Sequence, residues 1–167
     1  MTEMKYRNSD LIQQLIEHEG LRLDVYKDSL GIPTIGVGRN LRDRGLSKKE
    51  LTDCGFRDIL DVWEFGLTRQ QAEYLLLNDI KIVEMELSKT HPCIHGLDSV
   101  RQRVLVDMAF NLGMPRLNQF KKMWAAIHNN DFITAAKEML DSRWATQVGN
   151  RAKRLAKAME CGKWLEN

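Results

Sequence analysis

The chain has 167 residues, 43% of them apolar and 29% charged. That is enough for one compact unit, or a closely joined pair of lobes, with a real core. This composition excludes global disorder and collagen-like or disulfide-scaffold classes, and the three widely spaced cysteines, Cys54, Cys93 and Cys161, fit synthesis in a reducing compartment. The net charge of +2 names no partner, yet it is unevenly spread: residues 1–100 carry −4 and residues 101–167 carry +6. A basic half can attract a polyanion, although on charge alone a set of solvated helix faces is the better account.

The polar N-terminus has no apolar run of signal-peptide type, and no stretch approaches the roughly 20 apolar residues of a membrane span. Asn8 or Ser9 can cap a first helix whose stripe is Leu11, Ile12, Leu15 and Ile16, ending at Glu19 before Gly20. Residues 21–26 alternate as a strand does, Lys27 to Gly31 is turn chemistry, and Ile32 to Val37 is β-rich. This predicts a small antiparallel sheet. Ser47-x-x-Glu50 is a capping box opening a short helix. Residues 52–67 are ambiguous, interrupted by Gly55 and Gly66.

Thr68-x-x-Gln71 is a second capping box, followed by helical spacing with no proline before Pro92. A single long helix over 68–90 is expected, suited to join two lobes. Beyond it the pattern is short helices: from Asp98 to Gly113, from Phe120 to His128, 132–141 capped by Asp131, a turn or short helix from Ser142 to Gln147, and 149–160 before Gly162. The fold class is α+β, mostly α.

The densest candidate for chemistry is Glu19, Asp28 and Thr34. Glu19 sits at a helix C-terminus, where the macrodipole disfavours a carboxylate. Asp28 lies in the hairpin turn and Thr34 on the returning strand. Two carboxylates across a cleft are what glycosidic hydrolysis needs, but surface carboxylates are common and spacing alone is weak evidence.

The wording of the segment is more specific. Glu19-Gly-Leu-Arg-Leu-x-x-Tyr26-Lys-Asp28-x-x-Gly31-x-x-Thr34-Ile-Gly36-x-Gly38 closely resembles the phage-type lysozymes (endolysins) of the T-even kind. Met108-Ala-Phe-Asn111-Leu-Gly113, Ser142-Arg-Trp144 and Asn150-Arg151-Ala-Lys-Arg154 resemble the family's later blocks, in the same order. The resemblance implies one lysozyme domain over residues 1–167, two-lobed, with a sheet-bearing lobe at about 20–67. A connecting helix at about 68–90 would lead to a helical lobe at about 91–167, joined by helix 8–19. It implies a muramidase acting on peptidoglycan glycan strands with inversion. Glu19 would be the general acid, Asp28 the second carboxylate and Thr34 a group that places the attacking water. Tyr26, Gly38, Asn111, Trp144 and Arg151 would line the substrate site. Arg151 beside Glu19 would lower the acid's pKa, so its expected part is positioning.

The chain departs from the family pattern at Arg39, where a histidine is usual. Asp79 matches that histidine's partner, so an Arg39–Asp79 ion pair is expected, with no titration near neutrality. His18 replaces an aspartate, and residues 40–67 resemble the family least.

Other features stay unpromoted. Gly36-x-Gly38 lacks the rest of a dinucleotide loop. His91-Pro-Cys93-Ile-His95 is a loop without metal-site spacing, so no metal or cofactor is expected. The basic helix 150–157 has no stacking platform for nucleic acid, and Trp124, Trp144 and Trp164 are expected in the core or a cleft wall. No nucleic-acid or membrane partner is expected, and a monomer is the default. The resemblance further implies an enzyme held in the host cytoplasm until a holin opens the way to the wall. A wall-binding protein without catalysis and a lytic transglycosylase are the alternatives.

Overall fold

A computed structural model describes residues 3–165. Ten α-helices and a three-stranded antiparallel sheet make up the regular structure among them. By contacts the chain divides into two compact units: Asn8–Lys81, and the described residues before Asn8 together with those from Ile82 on.

The first unit begins with α1 (Asn8–Glu19), which buries Leu11, Gln14 and Leu15 along one side. Gly20 donates its N–H to the Ile16 carbonyl at 2.8 Å and ends the helix. The strands β1 (Arg22–Lys27), β2 (Pro33–Gly36) and β3 (Arg39–Asn40) follow in spatial order. Tyr26 lies opposite Thr34, and Ile35 opposite Arg39. The ladder is irregular between Arg22 and Tyr26, and Leu23 stays 39% exposed, so β1 does not bury one clean face. The two-residue β3 leaves no periodicity for a sequence pattern to show.

The capping box holds as expected. The Ser47 hydroxyl accepts from the Glu50 N–H, and the Glu50 carboxylate accepts from the Ser47 N–H, opening α2 (Lys48–Cys54). The ambiguous stretch resolves into α3 (Ile59–Phe65), capped by Asp58 and closed at Gly66. Gly66 has φ +70° and presses on β1, where an added Cβ would lie 2.5 Å from the Leu23 carbonyl oxygen. Thr68 and Gln71 form the second box before α4 (Arg69–Thr90). The core here is small: Ile35, Leu41, Val62, Leu67, Ala72 and Leu75, with Val25 and Phe56 packed against it.

The second unit takes the remainder of α4, a 3-10 turn at Pro92–Gly96, α5 (Ser99–Leu112), α6 (Met114–Leu117) and α7 (Lys121–His128). It closes with α8 (Phe132–Leu140), α9 (Arg143–Val148) and α10 (Asn150–Cys161). Asp98, Asp131 and Ser142 cap α5, α8 and α9 through their side chains. α8 packs on α7 and α10, and α10 also packs on α5. Val104, Leu105, Met108, Met123, Ala135, Met139, Leu155 and Met159 are all fully buried. The segment before Asn8 belongs to this unit: Lys5 donates to Gln102 and to the Leu97 carbonyl, and the Tyr6 hydroxyl donates to Glu84. No helix among the described residues is long and apolar enough to cross a membrane.

Candidate active site

In the sheet-bearing unit the site starts at the end of α1. Glu19 is its last residue and is half-buried. The β1–β2 connection carries Asp28, whose Oδ1 accepts two backbone N–H groups, from Leu30 at 2.8 Å and Ile32 at 2.9 Å. The backbone closes on the same residue, with Asp28 N–H to Ile32 O and Gly31 N–H to Asp28 O, each 2.9 Å. Both side-chain bonds go to one oxygen, so the plane of the carboxylate is fixed while Oδ2 takes part in neither. Thr34 is 4% exposed, and its hydroxyl donates to the Ile32 carbonyl at 2.9 Å. With its proton so committed, the hydroxyl oxygen presents acceptor lone pairs.

Tyr26 links these groups. Burial pushes its phenol above the ordinary value, Arg22 opposes this, and the negative charges of Asp28 and Glu19 add to it. The Arg22 guanidinium lies 4.5 Å from the ring centroid. Both carboxylates therefore sit within electrostatic reach of one phenol. Gly38, between β2 and β3, is exposed with φ +69° and open space where a Cβ would stand, so its backbone can be approached closely.

Arg39 pairs with Asp79 as expected, its Nε donating to Oδ2 at 3.0 Å and its Nη2 lying 2.9 Å from Oδ1, and it has a second carboxylate partner besides. Its Nη1 and Nη2 reach the two oxygens of Glu50 at 3.1 and 2.9 Å. The remaining N–H groups meet the carbonyls of Gly45 at 3.0 Å and Leu75 at 3.1 Å. All five guanidinium donors are thus used. Glu50 in turn accepts from Ser47 N–H and Asn78 Nδ2, and Arg44 joins Asp79 at 2.9 Å. Burial would raise the Glu50 carboxyl, but the hydrogen bonds from Arg39, Ser47 and Asn78 outweigh it and hold it at about 2. The sequence reading missed Glu50 because its capping-box role already explained it, and Asp79 already supplied Arg39 with a partner.

In the helical unit, Trp144 is 3% exposed and its indole Nε1 donates to Asn111 Oδ1 at 2.7 Å. This sets which way the Asn111 amide points. Phe120 meets Trp144 edge-on at 6.1 Å. Arg151 donates through Nε at 3.0 Å and Nη2 at 2.8 Å to a single oxygen of Asp107, which is completely buried. Asp107 was not anticipated, and it matches the Arg151 charge within its own unit. A pocket of about 520 Å³ opens here, lined by Phe120, Lys121, Lys122, Glu138, Arg143 and Trp144 among others. Trp124 is buried as expected, stacked on His91 at 3.6 Å. Trp164, expected in the core or a cleft wall, lies partly exposed between the Arg103 and Arg154 guanidiniums. Among the described residues no group of three or more His, Cys, Asp or Glu gathers as a metal site would require.

The family model for phage lysozymes matches residues 16–160. The chain is 29% and 32% identical to the probable T4-type lysozymes 1 and 2 of Dictyostelium discoideum, over 92% of this chain and 95% of each relative. It is also 31% identical, over 89% of its length, to the pre-baseplate central spike protein Gp5 of Enterobacteria phage T4, of which it spans 27%. This chain belongs to the phage lysozyme family, and with it to the glycoside hydrolases.

Proposed function

We propose that the chain is a muramidase that hydrolyses the β-1,4 bond from N-acetylmuramic acid to N-acetylglucosamine in bacterial peptidoglycan, with inversion. The observation that carries this reading is that Ile32 holds both groups: its N–H donates to one oxygen of Asp28, and its carbonyl accepts from the Thr34 hydroxyl. Such a pair suits one water: Thr34 Oγ1 accepts one of its hydrogens and Asp28 Oδ2 takes the other as the oxygen attacks the anomeric carbon. Glu19 donates its proton to the leaving glycosidic oxygen. The C1–O bond to the leaving sugar breaks, the C1–O bond to water forms, and Asp28 ends protonated in place of Glu19. Tyr26 and the Gly38 backbone would contact sugar beside this centre.

The same reading makes the protein a monomeric endolysin, held in the host cytoplasm until a holin opens the membrane and then acting on the periplasmic wall. The basic helical unit supports attraction to an acidic wall.

Digestion of purified peptidoglycan, with the new ends identified by mass spectrometry and the first-formed anomer by NMR, tests the chemistry. Reducing N-acetylmuramic acid ends of inverted configuration are expected. Anhydro ends would make the enzyme a transglycosylase and remove Asp28 from the reaction. A protein that binds the wall and yields no new ends would have no catalysis to explain.

A further inference from the structure

We propose that Glu50, acting through Arg39, is a positioning residue for the strand that carries Thr34. The inference rests on the muramidase reading above, since it is Thr34 that gives the strand its importance.

The physical problem is β3. A strand of two residues cannot hold its own place: it pairs with β2 only through Thr34 opposite Asn40 and Ile35 opposite Arg39, with Leu41 N–H to Pro33 O at 2.9 Å beyond them. What fixes it is the Arg39 side chain, 3% exposed. From β3 it reaches the Gly45 carbonyl, the Glu50 carboxylate on α2, and both Leu75 O and Asp79 on α4. A guanidinium is a rigid planar fork, so the six acceptor atoms around it define one position and one orientation.

Glu50 is the member that closes the arrangement. Its two oxygens take four donors, two from Arg39 and one each from Ser47 and Asn78. Burying such a pair is not an efficient way to gain stability, because hydrocarbon of similar volume often does as well. Hydrocarbon, however, has no preferred register. The pair therefore supplies geometry: it sets where β3 lies against β2, and so where the Thr34 hydroxyl meets the attacking water. A displacement of about 1 Å at a reacting centre can reduce rate by about 100-fold.

The test compares wild type, Glu50→Gln, and the double variant Arg39→Met with Glu50→Leu, on soluble glycan fragments. The double variant removes both charges of the pair together and leaves Arg44 on Asp79, so it is read at a temperature where its circular dichroism spectrum shows it folded. We expect kcat to fall about 10- to 100-fold in both variants and KM to rise by less, since of the sugar contacts only the Gly38 backbone adjoins β3. Amide exchange over 33–41 should quicken in both. A folded double variant with wild-type kcat and unchanged exchange overturns the proposal, whatever Glu50→Gln does. A wild-type protein that makes no reducing ends while exchange still responds would instead overturn the muramidase reading.

Discussion

Each unit buries an arginine against a carboxylate, and the two pairs differ in an instructive way. In the sheet-bearing unit Arg39 meets both oxygens of Glu50 and uses every donor it has. In the helical unit Arg151 on α10 bonds Asp107 on α5, among other partners, and so joins two helices that already pack on each other. The surroundings explain the contrast. Helices α5, α7, α8 and α10 contribute a long series of fully buried aliphatic side chains, so packing already defines their arrangement. The sheet has the short cluster around Ile35, Val62 and Leu75, and a polar fork supplies the precision that so little apolar area cannot. Charge here compensates for a scarcity of core.

Acid should expose that difference most strongly. Glu50 is held at about 2 in the folded protein, below its ordinary 4.5. A depressed carboxyl stabilises the fold above its unfolded pKa, and that stabilisation is lost as pH falls through the folded value. The contribution, about 3 kcal/mol, should therefore disappear between pH 4.5 and 2. Melting temperatures of wild type and Glu50→Gln should differ near neutrality and converge toward pH 2. A gap that persists at pH 2 would assign the stability to packing.

Glu19→Gln should separate activity from folding in the same unit. It keeps the shape of the side chain and removes the proton, so activity on peptidoglycan should fall at least about 100-fold, or about 2.7 kcal/mol in transition-state stabilisation. The circular dichroism spectrum should be unchanged. Activity within a few-fold of wild type would remove Glu19 from the reaction.

The smallest effect belongs to the helical unit, where local caps assist a core that is already sufficient. Ser142 accepts from the Ala145 N–H at 3.1 Å, and Ser142→Ala should cost about 1 kcal/mol in urea unfolding. A loss of several kcal/mol would mean that the start of α9 is as dependent on polar contacts as the sheet is.

Much of this architecture was legible from local spacing. The boxes Ser47/Glu50 and Thr68/Gln71 and the caps Asp98 and Asp131 mark four helix starts, because a cap acts within one turn of its own residue, while Ser142, which caps α9, left a turn or a short helix open. The sheet-bearing hairpin was legible from turn chemistry at Asp28 to Gly31. What escaped depends on approach between distant segments. Glu50 is 11 residues from Arg39, and Asp107 is 44 from Arg151. Neither carboxylate differs in sequence from a solvated one, and the burial that gives each its importance is created only when helices pack. The α3 helix was obscured for a related reason: Leu60 and Trp63 look like core and remain 69% and 50% exposed. Glu19, Asp28 and Thr34 stood out through family wording, since an acid at a helix end and another in a turn carry no chemical signature by themselves.

Gly66 has a consequence for any library made from this sequence. The backbone there has φ +70°, and a methyl group would lie 2.5 Å from Leu23 O and 2.6 Å from Asp24 Oδ1. Alanine scanning would read the position as a severe lesion and suggest a lost function, although glycine presents no side chain to lose. What such a scan would detect is a collision between α3 and β1. In a randomised pool the codon should collapse to a single residue, whereas Gly31, with open space around it, should retain asparagine as well.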